Sequence, residues 1–129
     1  MTKPSTKEMK AVLELDGPSR FKYFVKRVAD DERAWGLYKD GWALMADADG
    51  TVVFPLWPAR EYAELCAVDD WTDYKPMEIR LDELLGELIP KLRQSHAAPG
   101  VFPTPKGTGV TPGVDVLCEA LREELAKYQ

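Results

Sequence analysis

Residues 34–58 read A-W-G-L-Y-K-D-G-W-A-L-M-A-D-A-D-G-T-V-V-F-P-L-W-P. Two Asp-Gly pairs, Asp40-Gly41 and Asp49-Gly50, each separate alternating apolar runs, the strongest short-range signal for a β-hairpin. Two hairpins in succession predict a three-stranded antiparallel meander. With a type I′ turn at Asp40-Gly41, Lys39 faces Trp42, Leu37 faces Leu44 and Trp35 faces Ala46. That register puts Trp35, Leu37, Trp42 and Leu44 on one face, and Tyr38, Met45, Val52 and Phe54 on the other. Both faces are apolar, so helices must cover both, or a partner must cover one.

Helical patterns flank this stretch on both sides. Upstream, Ser5-Thr6-Lys7-Glu8 matches a capping box and is followed by Met9, Val12 and Leu13 at helical spacing. Asp16-Gly17-Pro18-Ser19 breaks that helix and starts another, over Ser19 to about Asp31, with the stripe Phe21, Phe24, Val25 and Val28. Downstream, Pro58 opens a helix carrying Tyr62, Leu65 and Cys66 on one face. Val68 to Tyr74 is an acidic, aromatic loop, and Lys75 to Leu81 reads as a short strand kept to an edge or start by Pro76. Leu81, Leu84, Leu85, Leu88, Ile89 and Leu92 form the strongest helical pattern, in which Pro90 should force a kink or an early end. His96 to Gly100 reads as a connector, residues 101–111 as a looser second hairpin, and Val114, Leu117, Cys118, Leu121, Leu125 and Tyr128 as a C-terminal helical stripe. The expectation is an α+β fold: an antiparallel meander of about three to five strands packed with about four to five helices. Its 129 residues are expected to form a single domain, 1–129.

Composition narrows the function classes. The chain has 45% apolar and 30% charged residues, an ordinary globular balance. No run reaches the roughly 18 apolar residues of a membrane span, and the N-terminus lacks the apolar core of a secretion signal. The expected location is therefore cytoplasmic, with Cys66 and Cys118 as buried, unpaired thiols. The net charge is −5; residues 1–33 carry 8 Lys and Arg against 6 Asp and Glu, the remainder 9 against 16. An acidic body disfavours nucleic acid as a partner and suits a basic protein surface.

Three motifs occur together: W-G-L-Y-x-D-G-W-A at Trp35–Ala43, W-P-x-x-E-Y-A-E-L-C at Trp57–Cys66, and V-F-P-T-P at Val101–Pro105. In that order they resemble a bacterial domain-of-unknown-function family, the one numbered twenty-seven-fifty, from about Phe21 to the C-terminus. The resemblance implies a small bacterial α+β protein and supplies no activity, cofactor or catalytic residue. The order of elements is also similar, in architecture alone, to a secretion-associated enhancer-type domain.

Residues with chemical potential meet simpler explanations. Asp47-Ala48-Asp49-Gly50 echoes a calcium loop, but its bidentate Glu position falls on Leu56 and its first ligand position on Met45, so the site does not close. His96 is the single histidine and has no visible nucleophile or ligand cluster beside it. Cys66 sits near a helix C-terminus, where the dipole disfavours a thiolate. Lys106-Gly107-Thr108-Gly109 has phosphate-loop residue types in the wrong order and suits a hairpin turn. No catalytic residue, metal ligand or cofactor site is expected.

The binding candidates are Asp70, Trp71, Asp73 and Tyr74 on the acidic loop, where aromatics among charges resemble an interface anchor and its rim. Trp57, Arg60, Phe102 and Lys106 complete the set, with a groove expected near Trp57 and Phe102. The leading functional expectation is a non-enzymatic protein-interaction or regulatory module whose partner is another protein. Two alternatives stay open: an immunity-type inhibitor of a basic toxin, suited by charge complementarity, and a small-ligand-binding protein or enzyme using the Trp57–Phe102 groove.

Overall fold

The computed structural model describes residues 3–105, 107 and 109–128. The first helix, α1 (Thr6–Leu13), starts where Ser5 Oγ accepts the Glu8 N–H at 3.0 Å. The Glu8 carboxylate does not return to the cap. It accepts the Tyr23 hydroxyl at 2.5 Å and Arg27 at 3.2 Å. The second helix, α2 (Gly17–Asp31), opens slightly earlier than its stripe suggests, because the Asp16 carboxylate caps the Ser19 N–H at 2.8 Å and Pro18 occupies the first turn. Arg27 also reaches Asp31 at 3.3 Å, and the Tyr23 hydroxyl meets that of Tyr62 at 2.9 Å. Burial and the Glu8 bond hold the Tyr23 phenol protonated well above its ordinary range. A helix too short to persist alone is thereby tied to the body.

The Asp16 cap gives a pH prediction. Its hydrogen bonds with Ser19 lower the carboxyl pKa below the usual 3.8. A depressed folded-state value stabilises at pH above 3.8 and is lost as pH falls through the lowered value. Asp16→Asn keeps a capping acceptor but cannot titrate, so its acid-side stability slope is expected to be shallower. Urea titrations between neutral pH and the acid limb measure this, and identical slopes would refute it.

The strands differ from the expected meander. Strand β1 (Arg33–Tyr38) pairs antiparallel with β4 (Lys75–Arg80), in register from Arg33–Arg80 to Tyr38–Lys75. Strand β2 (Met45–Ala46) pairs antiparallel with β3 (Val52–Leu56), and β3 pairs in parallel with β5 (Ala98–Val101). Trp35 and Trp57 exchange both backbone hydrogen bonds at 2.8 Å and join the two sheets.

The first Asp-Gly pair therefore does not reverse the chain. Trp35 opposite Trp57 and Met45 opposite Val53 are both antiparallel, so the chain runs along β3 in one direction on either side of residue 40. Residues 38–43 bulge out, closed by a Tyr38–Trp42 bridge and by the Ala43 N–H on the Leu37 carbonyl at 2.8 Å. Asp40 is left-handed at φ 57° and Gly41 is not, which rules out a type I′ turn. Gly36 makes room for the excursion: a Cβ there would lie 2.8 Å from the Trp42 ring. The expected pairings of Lys39, Leu37 and Trp35 with Trp42, Leu44 and Ala46 are replaced accordingly. The second pair does make a hairpin. There the Asp47 carboxylate accepts the Asp49 and Thr51 N–H groups at 2.9 Å, and Gly50 takes φ 83°.

From β3 the chain passes through buried Pro58 into α3 (Arg60–Leu65), then a 3₁₀ turn at Asp69–Trp71. After β4 it enters a helical segment made of α4 (Leu81–Glu83), a π turn (Leu84–Leu88) and α5 (Ile89–Gln94). Pro90 neither ends nor breaks this segment. Its missing N–H is absorbed by a wider turn, in which the Ile89 N–H reaches five residues back to the Leu84 carbonyl. This whole passage is the crossover that parallel pairing of β3 with β5 requires. Residues 98–100, expected to be part of a connector, therefore join Val101 in a strand. Bridges Val101–Val110 and Thr104–Gly107 form the looser second hairpin. The last helix, α6 (Val114–Ala126), buries Leu117 and Leu121 and leaves Tyr128 exposed beyond its end. The core runs through Phe24, Val28, Leu37, Leu56, Trp57 and Leu84. The result is an α+β fold with two small linked sheets in place of one meander. No helix among the described residues is long and apolar enough to cross a membrane.

Candidate functional site: an apolar groove with an acidic rim

Between residues 42–44 at the end of the bulge, the β2–β3 hairpin and the helical segment after β4 lies a groove of about 690 Å³. Trp42, Phe54, Ile79, Leu88 and Leu92 supply its apolar lining. The Trp42 ring is held at 5.4 Å from Phe54 and edge-on at 5.2 Å from Tyr38, so this wall is preformed. Leu44 and Val52, at the groove's edge, are 53% and 45% exposed. Their side chains carry the apolar lining of the groove out onto the exposed surface.

Charge on the lining is mainly acidic: Glu78, Glu83 and Glu87, with Lys91 one turn beyond. Glu78 meets Arg33 at 3.2 Å, and Glu83 accepts the Arg80 N–H at 3.3 Å. Glu83 immediately precedes the widened π turn and Glu87 lies within it, a feature that recurs at functional sites. Leu44 also borders a second depression of about 510 Å³, lined by Met45, Val68, Asp69, Asp70, Trp71 and residues 103–105. Two hollows with acidic residues thus meet at one exposed leucine.

The expected binding residues are not gathered in one place. Trp57 and Phe102 have no exposed surface, so neither side chain lines a groove. Trp57 donates its indole N–H to the Pro103 carbonyl at 2.9 Å, which is why an amphipathic ring is tolerated in the core. Phe102 packs against Tyr62 at 4.8 Å from a left-handed backbone, φ 60°. Trp71 is half-buried, its ring edge-on to Trp57 at 6.2 Å, and with Asp70 it lines the second depression. Asp73 is exposed and pairs with Lys39 at 3.4 Å, Tyr74 packs half-buried against the core, and Arg60 pairs with Glu64 at 3.0 Å on α3. Lys106 lies outside the described residues, as does Thr108.

The sequence alone does not mark the groove residues Trp42, Leu44, Val52, Glu83 and Glu87 as binding candidates. The signal for them was the surplus of apolar residues on both sides of residues 34–58, together with glutamates spaced four apart beside the leucine stripe.

One family comparison matches residues 21–121, and its description is a protein of unknown function, DUF2750. The chain belongs to the DUF2750 family. The resemblance seen in the tryptophan and proline motifs is thereby upheld, and α1 precedes the matched region. No curated protein matches the chain. In this DUF2750 chain, no three or more His, Cys, Asp or Glu side chains gather to hold a metal ion among the described residues.

The thiols divide by environment. Cys66 is buried, donates to the Pro103 carbonyl at 3.4 Å, and has its pKa pushed up to about 11 by burial. Cys118, expected to be buried, is only half-buried on α6 and accepts the Arg122 N–H at 3.2 Å. Native-state iodoacetamide labelling at neutral pH is expected to modify Cys118 first and to reach Cys66 only on unfolding. Mass spectrometry of the labelled peptides reads the order, and prompt labelling of Cys66 would contradict the structure.

Proposed function

We propose that the protein is a non-enzymatic interaction module that receives a partner protein in the groove beside Leu44. The observation that carries this reading is the continuity of exposed and preformed apolar surface, Leu44 and Val52 leading onto Trp42 and Phe54. The lining offers carboxylates, one lysine and one serine around aromatic and aliphatic walls, a combination suited to holding a surface. The acidic net charge of −5 supports a basic partner and faster encounter with it.

A photo-crosslinking residue at position 44 tests the reading against the same residue at Val116, an exposed apolar position on α6. In source cells, position 44 should yield a defined protein adduct that Val52→Asp suppresses, and position 116 should not. Equal products from both positions, or none from position 44, would overturn it. The second reading, an immunity-type inhibitor of a basic toxin, draws on the same acidic rims. It requires the captured partner to be a basic enzyme whose activity this protein abolishes.

A further inference from the structure

We infer that the segment seated in the groove is a cationic amphipathic helix of the partner protein. This rests on the interaction reading above and specifies its occupant. Three features favour that chemistry. The apolar contact is divided between two hollows that share Leu44 as a ridge, so a ligand covering both must be an elongated body with apolar residues along one side. An amphipathic helix presents such a side, with anchors at i, i+3, i+4 and i+7. Both hollows also carry carboxylates, Glu78, Glu83 and Glu87 around the first and Asp69 and Asp70 around the second. Finally, Glu83 and Glu87 both line the first hollow, four residues apart in the chain, so two cations on one face of a facing helix, at i and i+4, have a carboxylate each to meet. Lys91, one turn further on, would oppose an extension of the cationic row and favours an acidic or neutral residue there.

Lysines and arginines flanking an apolar stripe would thus meet the rim while leucine-like side chains cover Trp42 and Leu44. The partly solvated rim sets orientation and association rate more than affinity. The affinity comes from apolar area removed from water around Leu44 and Val52.

The test uses the full chain and four synthetic probes: an amphipathic leucine–lysine helix, its leucine–glutamate counterpart with the same apolar face, a scrambled leucine–lysine peptide, and the small cation benzyltrimethylammonium. Backbone amide shifts in NMR locate binding, and anisotropy of labelled peptide gives the Kd. The leucine–lysine helix is expected to shift groove amides and bind more tightly than the other three. Glu87→Lys should weaken it about fivefold, and Glu83→Lys with Glu87→Lys about tenfold or more, by placing like charge opposite the lysines. Leu44→Asp should abolish binding. Glu119→Lys with Glu123→Lys, on exposed positions of α6, should change it less than about twofold. Circular dichroism confirms that each variant is folded, and Glu87→Lys alone carries the comparison if the double variant is not.

If the leucine–glutamate helix binds the groove as well, the cationic assignment falls while the interaction reading stands. Equal weakening by the α6 pair would reduce the effect to general charge attraction and overturn the assignment. Binding of benzyltrimethylammonium in the groove as tightly as the peptide would replace a helix with a small cation. If no peptide perturbs the groove and position 44 captures nothing, both readings fail.

Discussion

Trp57→Ala is expected to lower stability by about 3–5 kcal/mol, the usual range for deleting a fully buried large aromatic side chain. Trp57 has 0% exposure, and its indole N–H donates to the Pro103 carbonyl at 2.9 Å. Its backbone exchanges both hydrogen bonds with Trp35, and its ring supports that of Trp71. Truncation therefore opens a cavity where the two sheets join. Trp57→Phe separates the contributions, since most of the ring remains while the hydrogen bond is lost. Pro103 keeps the Cys66 thiol at 3.4 Å, so the phenylalanine variant should lose only about 1–2 kcal/mol. Urea midpoints at unchanged slope measure both. A loss under about 1 kcal/mol for Trp57→Ala would mean that the ring is not packed as described.

Gly109→Ala is expected to cost about 3 kcal/mol, from left-handed strain and overpacking together. Gly109 has φ 77°, and an added Cβ would lie 2.5 Å from the Val101 carbonyl oxygen and 2.8 Å from the Phe102 carbonyl carbon. Both neighbours are backbone, so no side chain can rotate away. Because Val101 pairs with Val110 across this turn, the strain falls on the end of β5 and on Phe102, itself left-handed. Gly41→Ala is the control. Nothing lies within 4 Å of its Cβ position and its φ is not positive, so its effect should stay within about 0.5 kcal/mol. A destabilised Gly41→Ala would restore the type I′ turn that the Asp-Gly sequence suggests.

That contrast shows where the sequence is legible. Local signals located the helices: the Ser5 cap, Asp16 with Pro18, and the stripes through Phe24 and Leu117. Each depends on atoms within a few residues, and the structure keeps all of them. At Asp40-Gly41 the local signal was outweighed. β1 finds its partner in β4, some 40 residues on, and Trp42 folds over Gly36, so the turn becomes a bulge. Ala98-Pro99-Gly100-Val101 carries little strand propensity and pairs because β3 already lies beside it. The groove was legible only as a surplus: two apolar faces needing cover and no means of telling which would be left open.

From its residues alone, the chain determines its composition class, its helices, the hairpin at Asp49-Gly50 and its DUF2750 motifs, because capping and periodicity are short-range forces. Only the tertiary structure decides the strand partners, the burial of Trp57 and Phe102, and the opening beside Leu44. Those depend on which distant apolar surfaces meet and which remain uncovered, a competition that is resolved when the whole chain packs.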